Sequence, residues 1–196
     1  MSPSLDASSL VELVHRYYPS NLYSTEPGYH ESEQFRRLLA ARQEAQQHRS
    51  APWKKLLERL QEALPECKVE DWSVLWSDDN CWRARVTLPG PIEVSSGREY
   101  RTVVLLVSIL APVYVLYTSL HLRIAEDRFE QPRLFYEEVP ETKHVAEVMD
   151  ELTRRTLSVE RLPNGALFAP VTDIQCRNTL LGEAKLIDCL FTDDRW

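Results

Sequence analysis

The chain has 196 residues, 43% of them hydrophobic and 27% charged, and 30 acidic against 23 basic side chains leave a net charge of −7. That composition excludes collagen, coiled-coil arrays and wholesale disorder, and a chain this long buries roughly 70% of its unfolded surface without needing a disulfide or a metal. The acidic balance argues against a nucleic-acid binder and favours a partner with positive charge.

The first third reads as helical. Leu10, Leu13, Val14 and Tyr17 recur at i, i+3, i+4 and i+7, and Pro19 stops the pattern. A loop follows over 18–30, punctuated by Pro19, Pro27 and Gly28. A second helix is expected over 31–47, with Phe35, Leu38 and Leu39 inward and Arg36, Arg37, Arg42 and Glu44 outward. Ser50 is a suitable N-cap for a third helix, because Pro52 then falls in the first turn, where a missing N–H costs nothing. Trp53, Leu56, Leu57, Leu60 and Leu64 form its stripe, and Pro65 ends it.

The middle reads as β. Residues 69–76 alternate, with Trp72, Val74 and Trp76 on one face. Ser77, Asp78, Asp79 and Asn80 are turn formers, and 81–88 alternates again, so a hairpin is predicted. Pro89-Gly90-Pro91 breaks it, and Ser95-Ser96-Gly97 makes a second turn. Residues 102–120 carry no charge, nearly the length of a membrane span. Pro112 interrupts that run, however, and its Val, Ile, Tyr and Thr content favours strands, so two strands at 100–110 and 113–123 are predicted. The segment from Pro140 then opens a further helix, with Val145, Val148, Met149 and Leu152 as its stripe, while 180–191 fits a strand or a short helix. With no repeat and no Gly/Ser linker, the expectation is one α+β domain over 1–196. Its helical front spans 1–65, its antiparallel sheet of about four or more strands 66–125, and its acidic connector, helix and tail 126–196, with helices on one face of the sheet.

The patterns of known chemistry are missing from the sequence. It has five glycines and lacks G-x-G-x-x-G, the P-loop, H-E-x-x-H and G-x-S-x-G, so no cofactor is expected and the chain is not expected to be an enzyme. The five histidines do not stand in i, i+3 or i+4 pairs, and no metal site is expected. Cys67, Cys81, Cys176 and Cys189 form no C-x-x-C motif and read as free thiols of a cytoplasmic protein, with a buried disulfide as the alternative. The N-terminus lacks the basic and apolar regions of a signal peptide, which agrees with a cytoplasmic location. A Tyr117, Ser119 and His121 patch on one strand face is suited to acid–base work, although strand-end polar residues usually face water.

Charge supplies the stronger signal. Residues 126–151 hold nine acids and three bases, a net of −6, nearly all of the chain's excess. Either this is a solvated connector and outer helix face, or it is a docking surface whose carboxylates speed association with a basic partner. The expected contacts are Glu130, Glu137, Glu138 and Glu141, with Asp78 and Asp79 of the hairpin turn.

Several segments together carry a resemblance. The helical front 10–64, the W-x-x-x-W strand Trp72–Trp76, the corner Ala111-Pro112-Val113-Tyr114 and the closing Leu186-Ile187-Asp188-Cys189-Leu190-Phe191-Thr192-Asp193 look like bacterial immunity-type proteins. These are encoded beside polymorphic toxins, and the likeness is greatest to myxobacterial examples. It is a likeness of layout over most of the chain, with no catalytic residues to carry over. It implies a tight inhibitor that occludes a cognate protein toxin, often a basic nuclease; from charge and strand composition a monomer or homodimer is expected, without nucleic acid or membrane as partner. The rival readings are a small enzyme with a site near His121 and the hairpin acids, and a scaffold subunit.

Overall fold

The computed structural model describes residues 6–75, 79–126 and 128–195. Helix α1 (Ala7–Val14) starts where the Asp6 carboxylate accepts from the Ser9 amide at 2.8 Å, and it buries Leu10 and Val14. The expected loop 18–30 gives way to a short helix α2 (Pro27–Glu31), with proline in its first turn. Helix α3 (Glu33–His48) is capped by Ser32, whose hydroxyl accepts from the Phe35 amide at 3.1 Å. Ser50 is the first residue of α4 (Ser50–Ala63) rather than its cap; Arg49 holds that position and makes no side-chain capping bond. The α4 stripe is as expected, with Trp53, Leu56, Leu60 and Leu64 all closed to solvent.

The α3 stripe differs from the expectation. Leu39 is 46% exposed, whereas Arg42 is only 8% exposed, between Leu38 and Ala45 on the buried face. Helical spacing explains this: 38, 42 and 45 share one stripe, and Arg42 occupies it because its guanidinium finds a buried partner, described below.

The sheet is built on two long strands, β4 (Gly97–Ser108) and β5 (Val113–Ala125), paired antiparallel in the register Val107↔Tyr114 to Arg98↔Arg123. Pro112 sits in the corner between them. Strand β2 (Cys81–Thr87) pairs with β4, and β1 (Lys68–Asp71) pairs with β2, so the strands run β1-β2-β4-β5. Strand β3 (Ile92–Val94) also pairs with β4, next to the turn at Gly97. That glycine has φ +148°, and a Cβ on it would lie 2.1 Å from the Arg123 carbonyl oxygen, so only glycine fits this approach. Along the far edge of β5 lie β6 (Arg128–Phe129), β7 (Arg133–Phe135) and the parallel β8 (Glu160–Arg161). A 3-10 turn at Pro140–Thr142 leads into α5 (Lys143–Leu157), and α6 (Asn164–Leu167) and α7 (Leu186–Leu190) close the chain.

The hairpin strand expected over 69–76 ends at Asp71. The Asp71 carboxylate accepts from the Ser73 amide at 3.0 Å and from Trp53 Nε1 at 3.1 Å, an Asx-type turn after which the Ser73 hydroxyl, not a backbone carbonyl, accepts from the Arg83 amide at 3.0 Å. Trp76, the second tryptophan of the W-x-x-x-W pattern, lies outside the described residues.

The fold is α+β with an antiparallel meander behind N-terminal helices, and the helices cover both faces of the sheet rather than one. Val103, Leu105, Val107, Tyr114 and Leu116 meet α4 and α5. Val104, Leu106, Val113, Val115 and Tyr117 meet α1, α3 and the C-terminal segment with α6 and α7. Strands wrapped on two sides need apolar residues at every position, and that is why 102–120 reads as one uncharged run. No helix among the described residues is long and apolar enough to cross a membrane.

Candidate functional site

Two of the expected contact residues come together. Glu137 and Glu138 line a groove of about 130 Å³ between the edge of β5 and α5, in company with Glu147, Asp150, Lys143 and Arg161. The segment before α5 is pinned to the sheet by a buried hydrogen bond between Thr118 and Thr142 hydroxyls at 2.7 Å. The Asn164 side-chain amide donates to the Tyr136 carbonyl at 3.1 Å and to Glu137 Oε1 at 3.0 Å, which fixes the rim. Tyr114 OH donates to Asp150 Oδ1 at 2.6 Å; burial and this carboxylate together push the phenol well above its ordinary value.

Charge is less one-sided here than the sequence count implies. Lys143 Nζ lies 3.1 Å from Glu138 and 4.0 Å from Glu147, and its contact with Glu138 raises its pKa. Asp150 pairs with Arg154 and faces Arg161 at 3.8 Å, and Arg155 lies 2.8 Å from Glu151. Extending the count to Arg161 gives ten acids and six bases, a net of −4. Among the described residues Glu130, Glu137 and Glu141 enter no ion pair. Glu130 and Glu141 are exposed, but they stand off the groove, Glu130 after β6 and Glu141 in the 3-10 turn.

Asp79 of the hairpin turn does not belong to this surface. Asp78 lies outside the described residues. Asp79 is 1% exposed, so it is not the solvated or partner-facing turn residue expected. Its carboxylate is held 2.9 Å from Arg83, which is also buried, with Arg177 at 3.9 Å. Burial outweighs the attraction of Arg83 and raises the pKa of Asp79. Around this pair runs a polar network that sequence reasoning missed. Asn80 accepts from Arg42 Nε at 2.9 Å, and its side-chain amide donates to the Tyr18 hydroxyl and, at 2.8 Å, to the Cys189 carbonyl. Its backbone joins too: the Asn80 amide donates to the Phe191 carbonyl at 2.8 Å, and its carbonyl accepts from Ile109 at 2.9 Å.

The strand patch at 117–121 is assembled but closed. His121 Nε2 lies 2.9 Å from Ser119 Oγ and 3.1 Å from an Arg85 terminal nitrogen. The Arg85 guanidinium lies 4.8 Å from the centre of the Trp72 ring. Since Arg85 only donates, Nε2 is an acceptor and the imidazole is neutral; burial and then the Arg85 charge lower its pKa. Ser119 has 0% exposure and Tyr117 2%, so neither faces water as strand-end residues usually do, and neither presents a nucleophile to substrate. Cys81 is equally buried; desolvation first and Asp79 second push its thiol up, away from nucleophilic character.

No protein-family model, no curated protein and no solved structure matches this chain.

Proposed function

We propose that the chain is an immunity-type protein that binds a basic bacterial toxin and neutralises it by covering its working surface. The observation that carries this reading is the groove beside α5, where Glu137 and Glu138 stand with Glu147 and Asp150 against only Lys143 and Arg161. Exposed carboxylates on a rim held by Asn164 and by the Thr118–Thr142 bond form a surface that keeps its shape when a partner arrives. Partner lysines or arginines can displace the exposed Lys143 from Glu138, so steering and docking use the same groups.

The test is genetic and physical together. The protein encoded next to this chain is expressed with and without it in a bacterial host. The reading expects growth arrest by the neighbour alone, rescue by co-expression, and a complex that co-purifies. A neighbour that is harmless alone, or toxic whether or not this chain is present, contradicts it.

A further inference from the structure

We propose that Cys176 and Cys189 are a disulfide-forming pair, closed by exchange with a small-molecule disulfide and clamping the C-terminal segment in its native position. Their Sγ atoms lie 2.9 Å apart, with 2% and 0% residue exposure. Separate parts of the fold fix each sulfur's backbone. The Cys189 carbonyl in α7 accepts from Tyr18 OH at 3.2 Å and from Asn80 at 2.8 Å. The residue before Cys176 is held from the other side: Gln175 accepts through its carbonyl from Tyr29 OH at 3.1 Å and through its side chain from the Ser24 amide at 2.6 Å. The thiols therefore meet because the turn after α1, α2 and the hairpin turn bring them together. Cys67 and Cys81, by contrast, sit in the cores on opposite faces of the sheet. Among the described residues no group of three or more His, Cys, Asp and Glu could hold a metal.

Access is through Cys176. It lines a cavity of about 250 Å³ together with Tyr18, Tyr29, Arg42 and Arg177, whereas Cys189 lies behind it. Its hydrogen bond with Cys176 and its burial hold the Cys189 proton in place. The Cys176 thiolate, its proton released to water, attacks one sulfur of the small disulfide and expels one small thiolate, leaving a mixed disulfide on Cys176. Cys189 then gives up its proton to that thiolate and attacks Cys176 Sγ, expelling the second small thiolate, which takes the Cys176 proton from water. Two protein thiols are oxidised and one small disulfide is reduced to two thiols. The closed loop joins residues 13 apart, which restricts the unfolded chain and stabilises the fold.

The experiment incubates the native full-length protein with hydroxyethyl disulfide, blocks the remaining thiols and digests with trypsin. Arg177 and Lys185 lie between the two cysteines, so cleavage separates peptides 162–177 and 186–195 unless a disulfide joins them. The expected result is that linked pair, a fall from four free thiols to two, and a Tm several degrees above that of the reduced protein. Cys176→Ser and Cys189→Ser should each abolish the link, and Cys67→Ser should leave it unchanged. Four thiols still free, a stable hydroxyethylthio adduct on Cys176, or a link to Cys67 or Cys81 would each overturn the proposal. The wild-type peptide map is decisive even if a serine variant fails to fold.

Discussion

The two faces of the sheet are held by different chemistry. Against α4 and α5 the sheet presents Val103, Leu105, Val107 and Leu116, and Trp53 and Trp82 stack at 5.8 Å. Tyr114 directs its hydroxyl to the rim at Asp150. Against α1, α3 and the C-terminal segment the apolar core is larger, but buried polar groups interrupt it: Arg42, Asn80, Asp79 and Arg83. The first face is secured by desolvation, which tolerates small shifts. The second adds directional bonds such as those of Asn80 to Arg42 and Cys189, and so it specifies where the C-terminal segment lies.

The largest expected effect tests that difference. Arg83→Met leaves the Asp79 carboxylate buried without its nearest cation, and unfolding in urea should show a loss of about 3–5 kcal/mol. Replacing both, as Arg83→Met with Asp79→Leu, should recover most of that stability, because burial already disfavours the ionised Asp79. If the double variant is as unstable as the single one, the pair is held by more than its mutual charge.

Leu105→Ala on the other face should cost about 2–5 kcal/mol through lost contacts and a cavity, with no pH dependence of its own. A loss below about 1 kcal/mol would mean that α4 and α5 collapse into the space and that this face is less tightly packed than its burial implies.

A smaller effect comes from His121. Its folded pKa lies below the ordinary value near 6.5, so the unfolded chain binds the proton more readily. Stability should therefore fall as pH drops below about 6.5 and level off below the folded value, a slope that His121→Gln removes. Equal slopes in wild type and variant, measured by thermal unfolding from pH 7.5 to pH 5, would show that the imidazole is not held neutral.

The apolar face was readable in the sequence because one period governs it. Trp53, Leu56, Leu60 and Leu64 keep helical spacing, and β4 and β5 announce themselves by composition and by Pro112. The uncharged stretch also marks both faces as covered, since a one-sided sheet would alternate. The hairpin's own alternation pulled the reading towards a single covered face. Arg42 reads as outward by its charge, although Leu38, Arg42 and Ala45 share a buried stripe. Asn80 and Asp79 look like turn residues in any short window, and their partners at Arg42, Arg83 and Cys189 lie far along the chain. Glu137 and Glu138 were legible as part of a charge excess. The compensating Arg154, Arg155 and Arg161 fell just beyond the counted stretch.

The measurement that bears most directly on the proposed function is the association rate with the protein encoded beside this chain, the partner that the proposal names, followed across ionic strength. Wild type should associate quickly at low salt and slow markedly as salt rises. Glu137→Lys with Glu138→Lys should slow association at low salt and flatten that dependence, with the circular dichroism spectrum unchanged. An association rate and a salt slope identical to those of the wild type would show that the groove beside α5 is not the surface that meets that partner.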